Sequence, residues 1–202
     1  MVDELGNLIC GHNLHHYVGM SLLHQHFKIS DDEVLVRHYK DGTAYMTPRN
    51  VETMSRIIPY LWKLKVEDGL RRFYPLEFCE YPVEHQDHAR EEVELIGRAE
   101  EFLDALADKL IELELADVFG IMSLAWRPAF RFKPGETLLE TTDEVHRVLT
   151  LRPASETEID AIDTTQTLWL FTPAAGQIEG FKRGECSGHC ISHCYNHPPG
   201  EE

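Results

Sequence analysis

The chain has no GxGxxG, no GxxxxGK[ST], no GxSxG and no HExxH. These absences leave the dinucleotide cradle, the phosphate-binding P-loop, the serine hydrolase elbow and the zincin helix without support. No run approaches the roughly 20 apolar residues that a membrane-spanning helix needs. The opening stretch, MVDELGNLICGHNLHHYVG, has neither a basic head nor a long apolar segment, so it is not expected to act as a signal peptide. Positive charge is scarce. Lys and Arg number 19 against 35 Asp and Glu, a formal net charge of -16. Such a field repels phosphate backbones and anionic membranes and attracts cations, so neither nucleic acid nor membrane is expected as a partner.

Cysteine is sparse but unevenly placed. There are five, an odd number, and Cys186, Cys190 and Cys194 all fall near the end. A disulfide framework accounts poorly for that pattern. Thiols that stay reduced in an intracellular, cytoplasmic setting account for it better, and they are available to a metal or to redox chemistry.

The 202 residues are 43% hydrophobic and 27% charged, ordinary globular composition with enough apolar mass for a real core. The expected organisation is a single domain over residues 1–180 followed by a tail over 181–202. YVGMSLLHQHF reads as a strand, ISDDE as a turn and EVLVRHY as its partner. KDGT and VEDG mark hairpins. VETMSRI reads as a short helical turn or a loop. From Val83 to Leu115, apolar residues recur every three or four positions, which predicts one long amphipathic helix with a weak point at Gly97. VFGIMSLAW, TLLETTDEVHRVLTLRP and TTQTLWLFTP restore strand patterning, and AAGQIEGFKRGE reads as a connector. The expected fold is α+β: a mainly antiparallel sheet of about seven or eight strands, open or curled into a half-barrel, covered by that helix.

The tail carries a repeated tetrad, CSGH, CISH, CYNH. It supplies Cys186, His189, Cys190, His193, Cys194 and His197 within twelve residues. Thiolate with imidazole suits zinc or copper(I). On a helix all six would form one stripe, and a stripe cannot surround an ion tetrahedrally. The tail therefore needs ligands from elsewhere, unless its residues bind metal only adventitiously.

A second supply lies near the front. His24 and His26 share one face of a strand, and a three-residue turn after Ile29 would bring His38 opposite His24. Three histidines with an open fourth position are a common way to hold a catalytic zinc or non-haem metal. A one-residue change of register would turn His38 to the other face. The same histidines also read as an ordinary surface or hydrogen-bonded group. Glu140, Thr142 and Glu144 alternate along another strand, a pattern that is either a solvated face or the polar lining of a curled sheet. Cys79 and the three tryptophans read as core, and His85 and His88 as hydrogen-bonding or solvent-facing groups at a helix start.

YVGMSLLHQHFKISDDEVLVRH and LWKLKVEDGLRRFYPLEFCEY resemble segments of small uncharacterised proteins of filamentous fungi. The resemblance implies a fungal source and carries no activity and no site residue. Function is therefore expected from the ligands: a zinc- or copper-binding protein, with a metalloenzyme site shared between tail and front histidines. Such a site would leave a position for a small-molecule substrate. Metal storage or delivery without catalysis, and a scaffold with an incidental tail, are the alternatives.

Overall fold

Two Asp-Gly pairs each set a hairpin of the sheet. Strand β2 (Glu33–Lys40) turns into β3 (Thr43–Asn50) through Asp41 and Gly42, at φ 52° and 76°. Strand β4 (Ile58–Glu67) turns into β5 (Leu70–Glu80) through Asp68 and Gly69, at φ 52° and 77°. Two consecutive positive φ values make the turn whose twist matches paired strands, and Asp-Gly accepts them at low strain. Both hairpins stand where KDGT and VEDG predict them.

A computed structural model describes residues 2–50, 52, 57–130, 133, 136–174 and 177–187, with the backbone alone at 172, 174 and 177–187. The remaining strands are β1 (Val18–Leu22), β6 (Phe119–Ser123), β7 (Glu136–Asp143), β8 (Val148–Ser155), β9 (Thr164–Ala174) and β10 (Gln177–Ser187). The helices are α1 (Val2–Gly11), α2 (Val83–Arg98), α3 (Glu100–Glu112) and the short α4 (Glu156–Asp160). The strands follow one another as β1-β6-β4-β5-β2-β3-β8-β7-β10-β9, and β9 pairs back to β1 to close a barrel. All neighbours are antiparallel except β2 with β5 and β7 with β10. The fold is thus α+β with a mainly antiparallel sheet. The curl goes further than a half-barrel, and the strands exceed the expected seven or eight.

Three local expectations and one unread segment need correction. Strand β1 does not pair with β2; its neighbours are β6 and β9. VGMSL is buried along nearly its whole length, and so is FGIMS of β6. Strands buried on both faces belong between partners and under a helical layer. Second, residues 2–11 form a helix. Leu5 and Ile9 lie four apart and fully buried, and Asp3 and Glu4 sit in the first turn, where the positive end of the helix dipole favours acids. Third, the expected single helix is two. The backbone leaves helical geometry at Ala99 (φ −82°, ψ 57°), two residues past Gly97. Fourth, AAGQIEGFKRGE is largely strand β10, so the boundary expected after residue 180 falls inside a strand.

Apolar side chains divide into two layers. Helices α1 and α3 pack on each other and cover the outer face of the barrel, burying Leu5, Ile9, Phe102, Leu106 and Leu110 against Val18, Met20, Leu64, Phe119, Ile121 and Phe171. The barrel interior is lined by Leu35, Met46, Tyr60, Cys79, Tyr81, Trp126, Leu138, Leu151 and Leu168, among others. Burial of this kind stabilises by roughly 1.5–3 kcal/mol per large side chain relative to exposure. Cys79 and Trp126 are core as expected, and Trp62 and Trp169 are half-buried against the outer layer.

Candidate metal centre

Several polar groups are hidden in this apolar interior. His26, Arg37, Glu77, Glu140 and Thr167 are each no more than 9% exposed. Burying ionisable groups is unfavourable unless they are paired or serve a site, so a cluster of them marks a functional candidate.

His24 and His26 follow the end of β1, in the segment that leads to β2. That segment is pinned at both ends. The Leu23 N–H donates to the Val118 carbonyl at 2.8 Å. At the far end, Arg147 donates through Nε and Nη2 to the Lys28 carbonyl, at 3.1 and 2.9 Å, and pairs with Glu33 at the start of β2. Held this way, the two imidazoles meet edge to face, with centroids 4.3 Å apart.

Each ring is anchored by its Nδ1. His24 Nδ1 lies 2.8 Å from the Leu22 carbonyl, which can only accept, so Nδ1 carries the proton. His26 Nδ1 lies 2.8 Å from Thr142 Oγ1. In the neutral tautomer this leaves His24 Nε2 with a free lone pair. That atom is buried without a hydrogen-bond partner and stands 3.7 Å from Glu140 Oε2. Thr167 Oγ1 donates to the same carboxylate oxygen at 3.2 Å. His24, His26 and Glu140 present ligand atoms all within 4.8 Å of one another.

Electrostatics follow from this geometry. Burial works against charge on His24, but Glu140 and the Leu22 carbonyl overcome it and raise its pKa. Burial, then the neighbouring His24 charge, pushes His26 down to about 4. Burial would raise Glu140, yet the two histidines and Arg37 hold it below the usual carboxylate range. Burial raises Glu77 in spite of Tyr60 and Arg37. The three candidate ligands therefore compose an anion, a neutral imidazole and a proton-accepting imidazole, a donor set that a divalent cation can replace protons on.

His24 and His26 lie side by side, as their spacing implies, and His38 does not meet them. His38 sits on the opposite face of β2 from the inward Arg37, stacked on Tyr45 with centroids 5.7 Å apart. The reason is the pairing of β2, which runs beside β3 and β5 and not beside β1. The group that does lie near both is Glu140, and the alternation Glu140–Thr142 places Thr142 Oγ1 2.8 Å from His26 Nδ1. Comparison with protein-family models, with curated proteins and with solved structures found no match. Arg37, Glu77 and Tyr60 were missed; a charge and a carboxylate in otherwise apolar strands were the available signals.

Of the tail ligands, His189, Cys190, His193, Cys194 and His197 lie outside the described residues. Cys186 lies within β10, in register with Glu140 on the parallel neighbour β7. His88 stands 3.8 Å from Glu92 on α2 and is about half exposed, in keeping with a solvent-facing group. Among the described residues no helix is long and apolar enough to cross a membrane.

Proposed function

We propose that this chain is a metal-binding protein whose ion sits in the barrel on His24, His26 and Glu140. The observation that carries the reading is the convergence of two Nδ1-anchored imidazoles and one carboxylate, all within 4.8 Å. Metal-bound histidines characteristically donate their second ring nitrogen to a carbonyl or hydroxyl, which fixes the tautomer and aims the free lone pair. Two imidazoles and a carboxylate suit zinc or iron(II) and leave positions open. Copper(I) prefers softer donors and would need the tail thiolates. An ion with open positions polarises a bound water or a substrate oxygen, so a metalloenzyme acting on a small molecule is the functional class favoured here. A reducing, cytoplasmic setting keeps the tail cysteines available to the same ion.

The test is elemental analysis of protein expressed without a histidine tag, beside His24→Ala and Glu140→Gln. About one equivalent of zinc or iron is expected in the wild type and a large loss in both variants. Wild-type protein that stays metal-free after purification from metal-replete medium would overturn the reading. Storage or delivery by the tail alone predicts several equivalents per chain, unaffected by either substitution.

A further inference from the structure

Arg37 and Lys63 are the buried cations described in this fold, and Lys63 is paired with Asp117 at 2.8 Å. Arg37 points inward from β2 and is 2% exposed. Its guanidinium carbon lies 4.3 Å from the centroid of the Tyr60 ring and 5.8 Å from that of Trp126. Nη2 reaches Met46 Sδ at 3.8 Å, a weak acceptor. Nε and Nη1 are buried with no hydrogen-bond partner. A guanidinium does not deprotonate in a protein, so the barrel holds a dehydrated cation with open donors, an unfavourable state unless something accepts from them.

The neighbouring carboxylates do not fill that role. Glu77 Oε2 takes the Tyr60 hydroxyl, and Glu140 is engaged with His24 and Thr167. Aromatic rings crowd the same interior: Tyr39 lies tilted against Tyr81 and edge-on to Phe130, and Phe130 meets Trp126.

We propose that the barrel interior is a receptor for a small carboxylate, held by the free donors of Arg37. The Tyr60 ring lies against the guanidinium, and the open N–H groups lie in the guanidinium plane, the direction from which a planar oxyanion accepts. The aromatic surroundings suit the apolar remainder of such an acid. Glu77 feels the charges of Arg37, His24 and Glu140, so the receptor and the candidate metal ligands share one interior. The receptor stands on Arg37 alone and does not require the metal.

The experiment is thermal denaturation and calorimetric titration with formate, acetate and benzoate, at constant ionic strength against chloride, in chelator-treated and metal-loaded protein. In metal-free wild type at least one carboxylate is expected to raise Tm saturably where chloride does not. Arg37→Met should abolish the response. Arg37→Lys, which keeps the charge and loses the planar donors, should weaken binding about tenfold or more. No saturable response in the wild type overturns the proposal, whatever the variants do. A response of equal size in Arg37→Lys also overturns it. So does a response seen only with metal present and retained in Arg37→Met, which would place the carboxylate on the ion and leave the metal reading intact.

Discussion

An imidazole can serve a cation only through a nitrogen that is not already committed, and Thr142 decides that for His26. Its Oγ1 lies 2.8 Å from Nδ1 and engages that nitrogen on the protein side. Thr142→Val keeps the shape and deletes the hydroxyl. Metal affinity is expected to fall about 10- to 100-fold, while metal-free protein keeps its fold; titration with a competing chelator measures the first and circular dichroism the second. Unchanged affinity would remove Thr142 from the site. Protons act on the same ring. Folded His26 has a pKa near 4 against an ordinary 6.5, so the unfolded chain binds a proton that the folded one refuses. The stability this residue contributes is complete above pH 6.5 and declines as pH falls toward 4. His24, with a raised pKa, works the other way: its contribution is present below 6.5 and is lost as pH rises through the raised value. Denaturant midpoints of metal-free His26→Asn should therefore fall less steeply than wild type between pH 6.5 and 4. Parallel curves would show that burial does not perturb His26. The His-x-His and Glu-x-Thr spacings were visible in the sequence because alternation is local. Their meeting was not, because it joins residues more than a hundred positions apart and depends on which strands become neighbours.

Among elements, legibility tracked the same distinction. Both Asp-Gly hairpins could be read directly, because a two-residue turn dictates its own pairing. The helical period over Val83–Leu115 was also readable, but not its break at Ala99, where α2 lies against β4 and β6 while α3 turns to meet α1. Helix α1 went unread because ten residues give a weak periodic signal, and its docking explains why it forms. It lies so close to β9 that a Cβ placed on Gly6 would sit 2.4 Å from Phe171 Cδ1. Phe171 is 2% exposed and wedged in the outer core, so the ring has little freedom to retreat. Gly6→Ala raises intrinsic helix propensity by about 1 kcal/mol, yet overpacking should outweigh it and leave a net loss of roughly 1–2 kcal/mol. Urea denaturation distinguishes the two: a higher midpoint in the variant would mean that α1 can shift away from the barrel at little cost.

Closure of the whole barrel does what no single element can. Strands β7 and β10, about forty residues apart in the chain, run parallel, and the pairing sets Cys186 at the register position of Glu140. The backbone of the first tail cysteine thus lies at the register position of Glu140. If Cys186 supplies a ligand, cobalt(II) substituted into the protein should show a near-ultraviolet thiolate charge-transfer band, and Cys186→Ser should abolish it. Zinc affinity should fall about tenfold or more in the same variant. A chain cut after Ser187 keeps β10 and removes His189, Cys190, His193, Cys194 and His197. Retention of the band and of the affinity in the shortened chain would assign the thiolate to Cys186 and make the later tetrads dispensable. Retention of both in Cys186→Ser would separate the tail from the barrel centre and leave His24, His26 and Glu140 as the complete protein ligand set. Lower affinity in the shortened chain, with the band intact, would mean that a later tetrad also reaches the ion.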